Sequence, residues 1–266
     1  MLEALHGIRL KPVKDPSLDD LYPLIEQAQK NMKGFQLFLS FVASRYLCTR
    51  KQKKTSAMNI YNVIILDESG SMSVIYEQAL SGINEVLSGI RKNNEDFPDQ
   101  QHYVSIVTFE GNGIAGIKTR RDRVAIGMVD DFTGKDYRPG GCTPLYDAMG
   151  KTLNTLEGQI HDEDRVMVTV ITDGHENASE EYSGKTVKAL VSRLREKGWT
   201  FAYIGANQDA VEAARDLNID NALNFDATPE GVCEMSVRFR QAGRKFAMFH
   251  SCMAEPKVLY DLFNED

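Results

Sequence analysis

The stretch NVIILDESGSMS, residues 62–73, decides the fold. After Asn62 it has four consecutive aliphatic residues, 63–66, and such an unbroken apolar run is typical of a strand buried on both faces of a parallel sheet. The run leads directly into Asp67, Glu68 and three serines. Buried strands do not usually end in so dense a cluster of small oxygen donors, so the cluster indicates that something binds where the strand ends.

Segments with the patterns of strands and helices alternate through most of the chain. Repeated strand–helix units require right-handed crossovers and produce a mainly parallel sheet with helices on both faces. We therefore predict a doubly wound, Rossmann-like α/β fold. The predicted strands are 60–69, 102–111, 164–174, 199–207 and 222–227, with 113–121 as an antiparallel partner of the second, and the predicted helices are 74–93, 144–160, 184–198, 209–219 and 228–249.

The N-terminal region differs in character from this alternating part. Residues 1–57 contain helix-like segments followed by the basic, polar stretch RKQKKTS, residues 50–56. We predict a mainly helical appendage and a solvated linker over 1–57, a compact domain over 58–250 and a C-terminal tail over 251–266. The apolar segment 32–45 is interrupted by polar residues, so we interpret it as a helix of the appendage rather than as a secretory signal.

Composition and charge narrow the class of protein. The 266 residues include 31 Lys and Arg against 38 Asp and Glu, a net charge of −7, which argues against nucleic acid as a partner. No apolar run approaches the roughly 20 residues that a membrane-spanning helix needs. The four cysteines are scattered, without a C-x-x-C or a Cys/His cluster, which predicts reduced thiols in a cytoplasmic protein and no zinc site.

Three polar clusters fall at the ends of predicted strands or on the loops above them. In open α/β sheets, ligands bind at the carboxyl ends of the strands. Hydroxyls and carboxylates are ligands for a hard cation, and Mg²⁺ takes about six oxygens while keeping some waters. The sequence therefore predicts a Mg²⁺ site, with Mn²⁺ or Ca²⁺ as alternatives. The candidate ligands are Asp67, Ser69 and Ser71 in the first cluster, Thr143 in the second and Asp173 in the third.

These clusters resemble the metal-ion-dependent adhesion site of the von Willebrand factor A family, also called the integrin I-domain fold. That family carries the pattern D-x-S-x-S, then a distant Thr and a distant Asp. The surrounding sequences VIILDESGSM, GGCTPLYDAM and VITDGHENAS also resemble those of the family. D-x-S-x-S alone occurs often by chance, whereas all three segments in this order make a specific signal. The resemblance covers roughly residues 58–210 and extends to about 250.

The resemblance implies a role for each candidate ligand. Ser69 and Ser71 would bind the metal directly, Thr143 would bind it when a partner is present, and Asp67 and Asp173 would act mostly through water. One position would stay open for a carboxylate from a partner. The implied function is a non-enzymatic, divalent-metal-dependent protein–protein interaction module of bacterial type, whose protein partner offers an Asp or Glu side chain.

The sequence also predicts where the residues next to the candidate ligands lie and what they contact. We expect Glu68 to be a solvent-facing charge at the rim of the site, where His175 and Glu176 would also contact a partner. Cys142 is expected to be a buried, inert thiol. Asp147, on the helix after the second cluster, could accept hydrogen bonds from loop amides.

Two other functions stay open. A metal-dependent hydrolase or phosphatase could use Asp67 as its nucleophile, although such phosphatases carry a second Asp two residues on, where this chain has Ser69. The first strand is not followed by the G-x-G-x-x-G of dinucleotide-binding folds, and the sequence has neither the G-x-x-x-x-G-K-[ST] of P-loop proteins nor the G-x-S-x-G of α/β-hydrolases. The second alternative is a structural member of the family whose metal site is unoccupied.

Overall fold

The computed structural model describes residues 57–206 and 210–263. The first 56 residues of the predicted appendage and linker lie outside this part of the chain. Among the described residues, no helix is long and apolar enough to cross a bilayer.

A six-stranded sheet forms the centre of the described domain. Its strand order is β3-β2-β1-β4-β5-β6, and every neighbouring pair is parallel except β2 and β3. This confirms the predicted mainly parallel sheet and its one antiparallel strand. The strands are β1 (Met58–Asp67), β2 (Gln100–Phe109), β3 (Ile117–Ala125), β4 (Arg165–Thr172), β5 (Thr200–Ala206) and β6 (Asn221–Phe225).

Helices cover both faces of the sheet. The helices are α1 (Tyr76–Asp96), α2 (Leu145–Glu157), α3 (Gly184–Glu196), α4 (Ala210–Asp216) and α5 (Pro229–Ser251), with 3-10 segments at Gly70–Ile75, Gly113–Gly116 and Ile126–Met128. Buried residues of α1 and α5 belong to one core cluster, and those of α2, α3 and α4 belong to another. This arrangement confirms the predicted doubly wound α/β architecture.

The aliphatic run of β1 explains why the sheet is buried on both sides. Ile64 and Leu66 lie in the core beneath α1 and α5, whereas Val63 and Ile65 lie in the opposite core. Successive residues of a strand point to opposite faces, so a strand at the centre of a covered sheet must be apolar at every position.

The C-terminal residues 252–263 pack against the domain where β5 and β6 begin. The Leu259 N–H donates to Thr200 Oγ1 at 2.9 Å, and the amide of Asn221 donates to the Leu259 carbonyl at 3.0 Å. Leu262 is buried in the core beneath α1 and α5. The predicted tail is therefore anchored up to Leu262.

Candidate metal centre

Asp67 forms the base of the site at the carboxyl end of β1. It is fully buried, and its Oδ1 accepts a hydrogen bond from the Ser69 N–H at 2.7 Å. Its Oδ2 accepts one from Thr172 Oγ1 at 2.5 Å. The pairing of β1 with β4 brings these residues together, because Leu66 lies opposite Ile171 in the register. The carboxylate of Asp67 therefore holds the serine loop against the end of β4.

The serine hydroxyls connect the first loop to the third. Ser69 Oγ lies 3.2 Å from Ser71 Oγ, and Ser71 Oγ donates to Asp173 Oδ1 at 2.7 Å. Ser69 is buried whereas Ser71 is exposed, so the row of oxygens runs from the interior to the surface.

The loop that carries Thr143 is fastened to both of the others. The Gly70 N–H donates to the Gly141 carbonyl at 3.1 Å, and the Thr143 N–H donates to Asn177 Oδ1 at 2.9 Å. At Gly174 a Cβ atom would lie 3.3 Å from Thr143 Oγ1 and 3.8 Å from the hydroxyl of Ser71. The missing side chain at Gly174 thus leaves space beside two candidate ligands.

The five predicted ligand residues therefore lie together at one edge of the sheet. They offer three hydroxyls and two carboxylates, a donor set that suits a hard cation such as Mg²⁺. Within the described residues, no group of three or more His, Cys, Asp or Glu side chains could hold a metal. A metal at this edge would therefore depend on the hydroxyls as well as on Asp67 and Asp173.

The two aspartates are in an environment that penalises their negative charge. Burial raises the pKa of Asp67 to about 6, although hydrogen bonds from Thr172 and Ser69 act in the opposite direction. Burial also raises the pKa of Asp173, and its charge adds to the rise at Asp67. A cation between the two groups would favour their ionised forms.

Glu68 is not a solvent-facing rim charge, so that expectation was wrong. Its side chain is fully buried and pairs with Arg120, whose Nη2 lies 3.0 Å from Oε1 and 2.9 Å from Oε2. The Arg138 N–H also donates to Oε1 at 2.5 Å. A buried carboxylate is stable only when it is paired and hydrogen-bonded, and these contacts meet that requirement.

Of the other residues near the candidate ligands, some are exposed at the surface and one accepts hydrogen bonds from loop amides. His175 is exposed, whereas Glu176 is partly buried and accepts from the N–H groups of Tyr146, Ala178 and Ser179. The expectation of a buried thiol was wrong for Cys142, which is exposed beside Thr143.

Asp147 accepts hydrogen bonds from loop amides, as predicted. Its carboxylate receives the N–H groups of residues 180–182 at 2.7–2.9 Å. The carboxylate is fully buried at the start of α2, so it holds the loop that follows Asp173 against that helix.

Sequence reasoning missed several residues that support the site. The buried Tyr137 hydroxyl donates to the Asp67 carbonyl at 2.8 Å, and burial, with a further contribution from Asp67, raises the pKa of this phenol. The Thr172 hydroxyl donates to the Asp67 carboxylate. Asn177 accepts the Thr143 N–H with its side-chain oxygen and donates its own N–H to the Thr143 carbonyl. Thr172 could have been found from its place at the end of β4, whereas nothing in the sequence marks Tyr137.

The family model for the von Willebrand factor type A domain matches residues 63–231, more than half of the chain. The chain belongs to the von Willebrand factor type A family. Among curated proteins, none matches its sequence.

Several solved structures superpose on this one at low sequence identity. Proximal thread matrix protein 1 of the mussel byssus is 14% identical over 71% of this chain and 49% of its own, with a TM-score of 0.50. A von Willebrand factor type A protein from Catenulispora acidiphila is 15% identical over 71% and 43%, with a TM-score of 0.50. The pilus adhesin SpaC from Lactobacillus rhamnosus GG, in an open conformation, is 13% identical over 72% and 31%, with a TM-score of 0.51. The chain spans less than half the length of each of these proteins, and the likeness establishes the fold alone.

Proposed function

We propose that this protein is a non-enzymatic interaction module that captures a protein partner through a divalent cation. Von Willebrand factor type A domains commonly mediate protein–protein interactions. The observation that carries the proposal is the meeting of three hydroxyls and two aspartates at the edge of the sheet, with Ser71 at the surface. A partner side chain could reach an ion held there.

The donor set fits Mg²⁺, with Mn²⁺ or Ca²⁺ as alternatives. Ser69 and Ser71 would hold the ion through neutral hydroxyls, Thr143 would join them when a partner is present, and Asp67 and Asp173 would act mostly through water. Because the direct ligands carry no charge, a bound cation would supply a positive charge that attracts a carboxylate. The proposed partner group is therefore an Asp or Glu side chain.

The arrangement of Asp67 argues against the hydrolase alternative. A nucleophilic carboxylate needs a free oxygen within reach of its substrate. Asp67 is fully buried, and its two oxygens accept hydrogen bonds from Ser69 and Thr172. We therefore assign it to the support of the serine loop.

The proposal also includes a rim contact and a location. His175 is exposed on the loop after Asp173, which supports a role in contacting the partner.

We place the protein in a bacterial cytoplasm, and the support is that Cys142, Cys233 and Cys252 are free and exposed. Thiols of this kind stay reduced in that compartment.

The metal is tested by calorimetric titration with Mg²⁺ and Mn²⁺. The wild-type protein should bind one ion, and Ser71→Ala should weaken binding because it removes a direct ligand. Ser73→Ala is the matched control, since Ser73 is an exposed serine of the same 3-10 segment that bonds the Gly70 carbonyl. No binding by the wild type would leave a structural module with an unoccupied site.

The partner is tested by capture from the native host with and without EDTA. A specific protein should be captured in Mg²⁺ and lost in EDTA, and Asp67→Ala or Asp173→Ala should abolish its capture. Circular dichroism checks that each variant is folded. Capture that is unchanged in EDTA would refute metal-dependent binding.

A further inference from the structure

Glu68 connects the serine loop to β3, the edge strand of the sheet. It lies between Asp67 and Ser69, and Arg120 of β3 holds both of its carboxylate oxygens. The Nε of Arg120 donates to Thr108 Oγ1 at 2.9 Å, so the guanidinium is itself fixed to β2. One nitrogen of Arg120, Nη2, bonds both carboxylate oxygens, and such charge-assisted hydrogen bonds are stronger than neutral ones.

Glu68 is also attached to the loop that precedes Thr143, at two points. Its Oε1 accepts the Arg138 N–H at 2.5 Å, and its backbone carbonyl accepts the Gly140 N–H at 2.9 Å. Its own N–H donates to the Phe109 carbonyl at the end of β2, at 2.8 Å. One residue therefore joins the serine loop, the threonine loop and the β2–β3 edge of the sheet.

The ion pair makes this junction rigid. The Glu68 side chain is fully buried and that of Arg120 is 20% exposed, so little water is available to replace either partner. Removing one member of such a pair leaves an uncompensated charge, and the surrounding loops must then rearrange. Movement of residues 138–141 would carry Thr143 with it, because only Cys142 separates them in the chain.

We propose that Glu68 is a positioning residue for the metal site, and that it acts by setting the distance between Thr143 and the serine hydroxyls. The proposal rests on the metal binding put forward above. Neither Glu68 nor Arg120 contacts the ion; the pair fixes the backbone from which Thr143 reaches it. Supporting residues of this kind are worth about 10–100-fold in metal affinity.

A double-mutant cycle tests this role. Mn²⁺ affinity is measured by calorimetry for the wild type, Glu68→Ala, Thr143→Ala and the double variant, in acetate buffer, whose carboxylate stands in for the partner group that engages Thr143. Glu68→Ala should weaken binding about tenfold in the wild-type background and less than about threefold once Thr143 is already alanine. Glu68→Gln keeps an oxygen for the Arg138 N–H and should recover most of the loss. A residue that served stability alone would give equal losses in both backgrounds.

A control and a second variant keep the test decisive. Glu85→Ala removes the carboxylate of a 2.9 Å pair with Arg240, between α1 and α5, and should leave Mn²⁺ affinity unchanged. If Glu68→Ala does not fold, the cycle is run with Glu68→Met/Arg120→Met, since apolar side chains often replace a buried pair without loss of stability.

Three results would decide the matter. Unequal losses in the two Thr143 backgrounds support the positioning role. Equal losses, with the wild type binding Mn²⁺ normally, overturn this inference and leave the proposed function intact. No binding by the wild type overturns the proposed function, and the inference falls with it.

Discussion

Acid should destabilise the domain through His250, near the end of α5. The ring is fully buried, with centroids 4.4 Å from that of Phe246 and 5.0 Å from that of Phe249. Neither ring nitrogen has a hydrogen-bond partner among the described residues. Burial, and then the positive charge of Arg165, lowers the pKa of His250 from 6.5 to about 4.

The sign and size of the effect follow from this pKa. Between pH 6.5 and pH 4, the unfolded chain binds a proton at His250 and the folded domain does not, so stability falls as the pH falls. The stability that depends on a neutral His250 is fully present above about pH 6.5. The free energy of unfolding falls by roughly 2 kcal/mol at about pH 5 and by roughly 3 kcal/mol at about pH 4. Burial lowers the pKa of His102 to about 4 as well, so a variant is needed to separate the two histidines.

Urea unfolding of the wild type and of His250→Leu, in EDTA from about pH 7 to pH 4, measures the His250 contribution. The variant keeps His102, so the difference between the two free energies of unfolding isolates His250. That difference should change by roughly 3 kcal/mol over the range, in favour of the variant at low pH. Met248→Leu, at an exposed position on the same helix, should follow the wild type. Parallel curves for the wild type and His250→Leu would refute the reasoning.

Three further substitutions test the packing around the site. Gly174→Val should weaken Mg²⁺ binding about tenfold in calorimetry, ~1.4 kcal/mol, with little change in melting temperature, because its side chain would fill the space beside Thr143 Oγ1. Gly150→Ala should destabilise the domain by about 1–3 kcal/mol in urea although alanine favours helices, since the added Cβ would lie 2.2 Å from the Tyr182 ring. Asp147→Ala should lower the free energy of unfolding by about 3 kcal/mol, because three loop N–H groups lose a charged acceptor. Thermal unfolding measures this loss, and an unchanged melting temperature would contradict it.

The fold could be predicted from the sequence because hydrophobic burial dictates its main pattern. A strand covered on both faces must be apolar throughout, and β1 meets that condition, while α1 presents its apolar residues to one core. The ends of elements were harder to predict, since local contacts decide them. The helix expected from residue 74 begins at Tyr76, because Gly70–Ile75 form a 3-10 segment.

The convergence of the five candidate ligands could be predicted because their places along the chain agree with the family resemblance. The carboxyl ends of parallel strands meet at one edge of a sheet, and the motifs of Asp67 and Asp173 fall at the ends of β1 and β4, while the family resemblance links them to the loop of Thr143. Their supporting contacts could not be predicted. Arg120 is 52 residues from Glu68, and Tyr137 is 70 residues from Asp67. A single sequence contains no signal that links residues so far apart, and exposure is the usual state of a charged side chain.

The contrast between Asp67 and Glu68 shows which acid is available to a cation. Both are fully buried and adjacent in the chain, yet Asp67 bonds Thr172 of β4 while Glu68 pairs with Arg120 of β3. The charge of Glu68 is therefore neutralised. Among the described residues, no basic side chain pairs with Asp67 or Asp173, and burial raises the pKa of both. A buried acid and a partly buried acid without a positive partner are costly in a folded protein, and a divalent cation at this edge would offset that cost. Electrostatics thus supports a metal site beside Asp67 and argues against one at Glu68, a distinction that the order of residues in DESGS does not reveal.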